Sequence, residues 1–488
     1  MGVASHEYPF DSPRPGWTEQ EAALFWDGTV VSVRAVLEKT GVIGTEVIAV
    51  GLIGQMHGMT LLDAQGQPIR PVILWNDQRT AAQCAEITNL VGAQRVLELT
   101  GNPVLTGFTA PKILWTRENE AEAYARVAKV LLPKDYVRYK LSGEFYTEVS
   151  DASGTSLLNV RERCWSEEIL SALNLPRAWL PEVTESPVVS TKVSREAAAA
   201  LGLAAGTPIV GGGGDQAAGA IGMGIGQEGT VSVTVGTSGV VFAASNSYRV
   251  EPEGRLHAFC HAAPGRWHLM GVMLSAAGSF RWYRDALGHA EKAVAGLTGR
   301  DAYDILTEEA ATVPPGSEGL IFLPYLTGER TPYPDPAARG VFFGLSIRHS
   351  KAHLTRAVLE GVSYGLCDAL ELMRGLGLHI TQVRVSGGGA KSLLWRQILA
   401  DVFNTEIVTV NSTEGAAYGA SLLAGVGAGV FADVDAACAT AVSTTGSLQP
   451  GPAAQVYADY YPRYRALYPA LASHFGELAR VVDKHSAQ

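Results

Sequence analysis

Cysteine is scarce and scattered: five residues in 488, at positions 84, 164, 260, 367 and 438, with no CxxC spacing. Such a distribution gives neither a zinc site nor a disulfide framework, and reduced, mostly buried thiols in a cytoplasmic protein are expected. A basic excess is also missing, because 48 acidic side chains outnumber 38 basic ones and leave a net charge of −10. This excludes partners that must be held by neutralising many phosphates, such as nucleic acid or an anionic membrane. No apolar run approaches the roughly 18 residues of a membrane-spanning helix, and Met1 to Tyr8 carry neither the cationic stretch nor the apolar core of a secretory leader. The P-loop order G-x-x-x-x-G-K-[ST], the dinucleotide fingerprint, HExxH and the EF-hand pattern are absent, so no dedicated metal site is expected.

What is present is an ordinary globular balance, 47% hydrophobic and 18% charged, with 54 glycines. The length exceeds what one hydrophobic core supports and suits two domains. Strand and helix signals alternate, which reads as an α/β protein. Four strand-like segments end in polar or glycine-rich turns. Val47 to Ile53 runs into Gly54-Gln55-Met56-His57-Gly58. Pro208-Ile209-Val210 runs into four glycines and Asp215. Val231, Val233 and Val235 lead to Gly236-Thr237-Ser238-Gly239, and Val383-Arg384-Val385 leads to Ser386-Gly387-Gly388-Gly389-Ala390. Ligands of α/β folds collect at such strand ends. The division between domains is expected at residues 225–229.

Helical spacing is equally legible. Leu354, Val358, Val362, Leu366, Leu370 and Met373 recur three or four apart, with Ser350 placed to cap a helix beginning at Lys351. Leu393 to Phe403 and Gly415 to Gly429 read as further helices. Tyr457, Tyr460, Tyr461, Tyr464 and Tyr468 follow helical spacing and predict a C-terminal helix docked on the body.

Three constellations could carry chemistry. Glycines at 211–214 let a ligand approach the backbone, and the carboxylate of Asp215 could accept a proton from a substrate hydroxyl. Equally, Asp215 could cap the Ala-rich helix that follows. The turns at 236–239 and 387–390 offer hydroxyls and free amides to phosphate oxygens, although Gly-Thr-Ser-Gly is also good hairpin chemistry. Gln55, Met56 and His57, together with Trp75 to Arg79, bring amide, imidazole, indole and carboxylate groups suited to a polyhydroxylated ligand.

The ordered set Gly54-Gln55-Met56-His57-Gly58, Leu74-Trp75-Asn76-Asp77-Gln78-Arg79, Leu132-Pro133-Lys134-Asp135-Tyr136, Gly212-Gly213-Gly214-Asp215 and Pro324 to Pro332 resembles the FGGY family of carbohydrate kinases, and within it the xylulokinase branch. Gly340 to Leu345, His353-Leu354 and Ala357 to Glu360 match a wider family signature. Gly107 to Trp115 matches another, with Thr116 where an apolar residue is usual.

The resemblance implies an α/β chain of two actin-like (ribonuclease-H-like) domains around an interdomain cleft. Residues 1–226 would bind sugar, and residues 227–488 would bind ATP and end in the C-terminal helix. It implies that Asp215 takes the proton from the C5 hydroxyl of D-xylulose, which then attacks the γ-phosphorus of ATP bound with Mg2+. Met56 and His57 would contact the sugar with Gln216 beside them. Gly236, Thr237 and Ser238 would meet the phosphates, and Gly388, Gly389 and Ala390 the adenosine. A homodimer is compatible with the resemblance. Family members carry an early hairpin with Asp-x-Gly-Thr/Ser, a pattern found nowhere in this sequence. Its absence predicts impaired folding and turnover as the chain stands, and favours a start assigned too far downstream. The alternatives are a sister kinase for ribulose, fuculose, rhamnulose or gluconate, or a non-catalytic sugar-binding protein.

Overall fold

Strand ends and the turns that leave them position every candidate residue. The computed structural model describes residues 2–411 and 415–486. The first part of the chain supplies helix α1 (Ala22–Thr40), strands β1 (Ile53–Gly54) and β2 (Val72–Ile73), and helices α2 (Thr109–Asn119), α3 (Pro133–Ser142) and α4 (Val149–Ala152). It closes with strands β3 (Pro208–Val210) and β4 (Gly213–Gly214) and helix α5 (Asp215–Gly222). Among the described residues its strands pair only two by two. β1 runs parallel to β4, Ile53 opposite Gly213 and Gly54 opposite Gly214, and Val50 bridges Ile209 further back. The expected strand over Val47–Ile53 is therefore a ladder of two residues with one added bridge. Gly51 to Gly54 also line a groove of about 740 Å³ between α1 and α3, together with Phe25, Val33, Val137 and Leu141.

The second part builds a seven-stranded sheet from β5 (Thr230–Val235), β6 (Gly239–Ser245), β7 (His257–Cys260), β8 (Trp267–Met273), β9 (Gln382–Ser386), β10 (Glu406–Val410) and β11 (Thr444–Leu448). Its order is β7-β8-β6-β5-β9-β10-β11, with β5, β9 and β10 mutually parallel and the outer strands antiparallel. Helix α6 (Lys351–Gly375) buries Val358, Val362, Leu366, Leu370 and Met373, the face that the spacing predicts. Helix α7 (Gly415–Gly427) crosses back onto the first part and packs against α5 so closely that glycines meet backbone. The hairpin β7–β8 also reaches that part: Asn102 Nδ2 donates to Ala258 O at 2.9 Å, Cys260 N to Ser153 Oγ at 3.0 Å, and Trp267 Nε1 to Val160 O at 2.8 Å. No helix among the described residues is long and apolar enough to cross a membrane. Cys260, Cys367 and Cys438 are buried free thiols; Cys84 is half-buried and Cys164 exposed.

The tyrosine-rich end is helix α8 (Ala454–Ser486), and its aromatic residues dock on the body as expected. Tyr457 is buried: its hydroxyl donates to Glu360 Oε1 at 2.8 Å and accepts from Arg356 at 2.8 Å. Glu360 also accepts from Gly316 N and Ser317 Oγ. Tyr457→Phe leaves this buried ion pair one partner short and is expected to lower unfolding free energy by about 1–3 kcal/mol in a urea titration.

Candidate active site

β1 ends at Gly54, and the chain reverses through Met56 and His57. His57 adopts φ +71°, a left-handed conformation that disfavours any residue with a Cβ. Its imidazole lies flat on Phe108, ring centroids 4.5 Å apart at 14°, and its Nδ1 is 2.7 Å from the carbonyl oxygen of Gly154. A carbonyl only accepts, so Nδ1 carries the proton and Nε2 is left as an acceptor. Burial lowers the imidazole pKa to about 3, opposed by the Gly154 bond and assisted by the charges of Lys112 and Arg330. His57 is therefore neutral across the physiological range. A Cβ on Gly154 would run into His57 Nδ1, and one on Gly214 would stand 3.0 Å from Met56 Cγ and Sδ. Glycine at these two places lets the His57 turn, α4 and β4 converge.

β4 delivers Asp215 at the first position of α5. Its Oδ1 accepts from Gln216 N at 2.8 Å, and the Gln216 amide lies 3.4 Å from Oδ2. Gly214, not Asp215, is the N-cap of α5, but Asp215 Oδ1 takes up one of the free N–H groups of its first turn, and the neighbouring Gly214 packs against Met56. Burial raises the Asp215 pKa, which the Gln216 bonds partly counter. That makes it a better proton acceptor than a solvated aspartate.

Next to it lies a buried charged cluster: Lys134 and Asp135 stand in a motif quoted above without a role of their own, whereas Glu148, Ser150 and Asp151 were not singled out. Gly214 N donates to Ser150 Oγ at 3.0 Å, and Ser150 Oγ to Glu148 Oε1 at 2.9 Å. Lys134, buried at the start of α3, lies 2.6 Å from Asp135 Oδ1 and 3.5 Å from Asp151 Oδ2. Neither Asp151 oxygen accepts a hydrogen bond among the described residues. Burial holds the Asp151 pKa well above the ordinary value; Lys134 opposes this, and Asp135, Glu148 and Asp215 reinforce it. The polar run Ser150-Asp151-Ala152-Ser153-Gly154-Thr155 between apolar segments was the available signal.

The Trp75–Arg79 segment divides. Trp75 is 53% exposed and free to form a flat wall. Asp77, by contrast, is buried and accepts from Thr18 N at 2.7 Å while paired with Arg79 at 2.7 Å. Arg79 stacks 3.8 Å above Trp17, so this carboxylate–guanidinium pair is a structural staple rather than a ligand group.

The other candidates form a second group at the parallel ends of β5 and β9. Thr234 and Ser386, opposite each other, bring their hydroxyls to 3.0 Å. The turns that follow abut: a Cβ on Gly387 would meet Val235 O at 2.7 Å, and one on Gly389 would meet Val235 Cγ1 at 2.5 Å. Gly236, Thr237 and Ser238 thus neighbour Gly388, Gly389 and Ala390, with Thr237, Ser238 and Gly388 exposed. Gly236 and Thr237 give their carbonyls to Ala276, Ala277 and Gly278, which braces the turn. Ligands of α/β folds collect at the carboxyl ends of such parallel strands, and the two turns bring exposed hydroxyls and glycine backbone together there.

Two family models cover this architecture: the N-terminal domain of the FGGY family of carbohydrate kinases over residues 1–222, and its C-terminal domain over residues 231–428. The chain belongs to the FGGY carbohydrate kinase family. It is 41% identical over 463 residues to the xylulose kinase of Escherichia coli (strain K12), which covers 94% of this chain and 92% of that protein. Among solved structures, a xyloylose kinase from Brucella ovis superposes with a TM-score of 0.88 at 40% identity, covering 97% of this chain and 95% of that one. A gluconokinase of Bacillus subtilis (strain 168) is 33% identical over 370 residues, 75% of this chain and 72% of that protein. The two family models thus span both residue groups, one in residues 1–222 and the other in residues 231–428.

Proposed function

We propose that the protein phosphorylates D-xylulose at the C5 hydroxyl, using ATP with Mg2+, to give D-xylulose 5-phosphate. Residues 1–226 form the sugar half and residues 227–488 the nucleotide half. Identity of 41% with a xylulose kinase over most of both chains favours this ketose over gluconate, for which the similarity is lower and shorter. The observation that carries the chemistry is that the β1 and β4 ends, which pair in parallel, deliver a neutral His57 with Met56 from one and the half-buried Asp215 from the other.

In this reading His57 Nε2 accepts a hydrogen bond from a sugar hydroxyl, Met56 supplies apolar contact, and the Gln216 amide adds a donor. Asp215 accepts the C5 hydroxyl proton as that oxygen becomes nucleophilic. The turns at 236–238 and 388–390 hold the nucleotide phosphates and adenosine. Bound Mg-ATP supplies the transferable phosphoryl group, with the cation neutralising its charge. Because the base has a raised pKa, kcat falls as acidification protonates it, and the midpoint lies above that of an ordinary aspartate. His57→Gln is expected to raise the xylulose KM and leave that acid limb in place, because His57 is already neutral there; pH–rate profiles of both enzymes check this. A coupled assay with xylulose, ribulose, fuculose, rhamnulose and gluconate tests the substrate. Highest kcat/KM with any other sugar rejects xylulose, and tight sugar binding with no ADP formed rejects a kinase.

A further inference from the structure

Lys112, in the first turns of α2, has no exposed surface. Its Nζ donates to two backbone carbonyls, His57 O at 2.9 Å and Gly107 O at 2.6 Å. Among the described residues no carboxylate lies within ion-pair distance of it. A buried amine without a counter-charge is costly, and an apolar side chain would fill the same space more cheaply. Burial brings its pKa down to about 7, against the pull of Asp77 and Cys84 and with the push of Arg79. In either protonation state the amine has at least the two N–H groups that two carbonyls need.

The two carbonyls belong to the two turns that frame the sugar group. One is that of His57 itself, whose left-handed backbone is strained. The other belongs to the loop carrying Phe108, on which the imidazole is stacked, and a Cβ on Gly107 would meet Trp75 O at 2.5 Å. Thr109 Oγ1 donates to the same His57 carbonyl at 3.1 Å. Two side chains of one helix thus converge on a single strained peptide.

We propose that Lys112, seconded by Thr109, is a positioning residue for sugar binding: it holds His57 in its left-handed conformation and so sets where the imidazole Nε2 lies. This rests on the sugar-site reading above. The test is a mutant cycle of Lys112→Met and His57→Ala, with Thr109→Val as a milder second probe, in variants whose thermal melts show a folded protein. Lys112→Met is expected to raise the xylulose KM about tenfold with kcat and the ATP KM little changed, and Thr109→Val about threefold in the same direction. In the His57→Ala background the Lys112 effect should shrink to less than about twofold, because it acts through the missing imidazole. An unchanged KM in either single variant, or the same increment in both backgrounds, overturns the proposal. If Lys112→Met does not fold, the Thr109→Val and His57→Ala cycle decides it on the same criteria. Failure of the sugar-site reading would look different: the unmodified protein would neither bind nor phosphorylate xylulose.

Discussion

Asp215→Asn is expected to reduce kcat by about 10²–10⁴-fold, the usual contribution of a positioned base, while the xylulose KM stays within about threefold. The amide is nearly isosteric, and its oxygen can still accept from Gln216 N as Oδ1 does now at 2.8 Å. The start of α5 should therefore survive, and thermal melts of the two proteins should nearly coincide. That combination separates the two roles available to Asp215. A pure helix-capping residue would lose neither stability nor turnover on this change, because the amide oxygen caps equally well. A base would lose turnover alone. Steady-state kinetics with saturating ATP measure the difference, and undiminished turnover would remove Asp215 from the reaction.

The second large effect is predicted at Gly419, where α7 packs on α5. Gly→Ala inside a helix ordinarily stabilises by about 0.5–1 kcal/mol, because alanine loses less chain entropy on folding. At Gly419 the sign reverses. A Cβ there would run into Ala218 O, and one on the facing Gly222 into Gly415 O, so α5 and α7 touch backbone to backbone. Even one methyl must push the helices apart, an overpacking penalty of about 1–3 kcal/mol or more. Gly419→Ala should lower the melting temperature and, because α5 begins with Asp215, lower kcat as well. Gly296→Ala is the matched control: that helical glycine has nothing within 4 Å of the added carbon and should gain stability. Urea titrations of the pair decide it, and equal shifts of the same sign would refute the close-contact account.

How much of this was legible in the sequence depends on whether a signal is local. The helices at Lys351–Gly375 and Leu393–Phe403 follow directly from apolar spacing, and the tyrosines of α8 dock as their spacing predicts. Glycine turns at strand ends were equally readable, since a run such as 211–214 suits few other structures. Their pairing was not. The sequence pattern cannot tell that the 236 and 387 turns abut, because that depends on β5 lying beside β9, which starts some 150 residues later in the chain. Asp77 shows the opposite error: beside Trp75 in sequence, it points into a staple with Arg79 and Trp17 instead of the pocket. The Lys134–Asp151 cluster and the Lys112 contacts were missed for the same reason, as each joins segments brought together only by the fold.

The meeting of α5 and α7 has a consequence for how this enzyme could be re-engineered. Where two backbones touch there is no side chain to trade, so that seam can drift only if both helices change together. Met56, His57 and Gln216 carry no such restriction. Under the proposed function, preference for a new sugar is best sought among those three, and hardiness in positions that leave the seam alone.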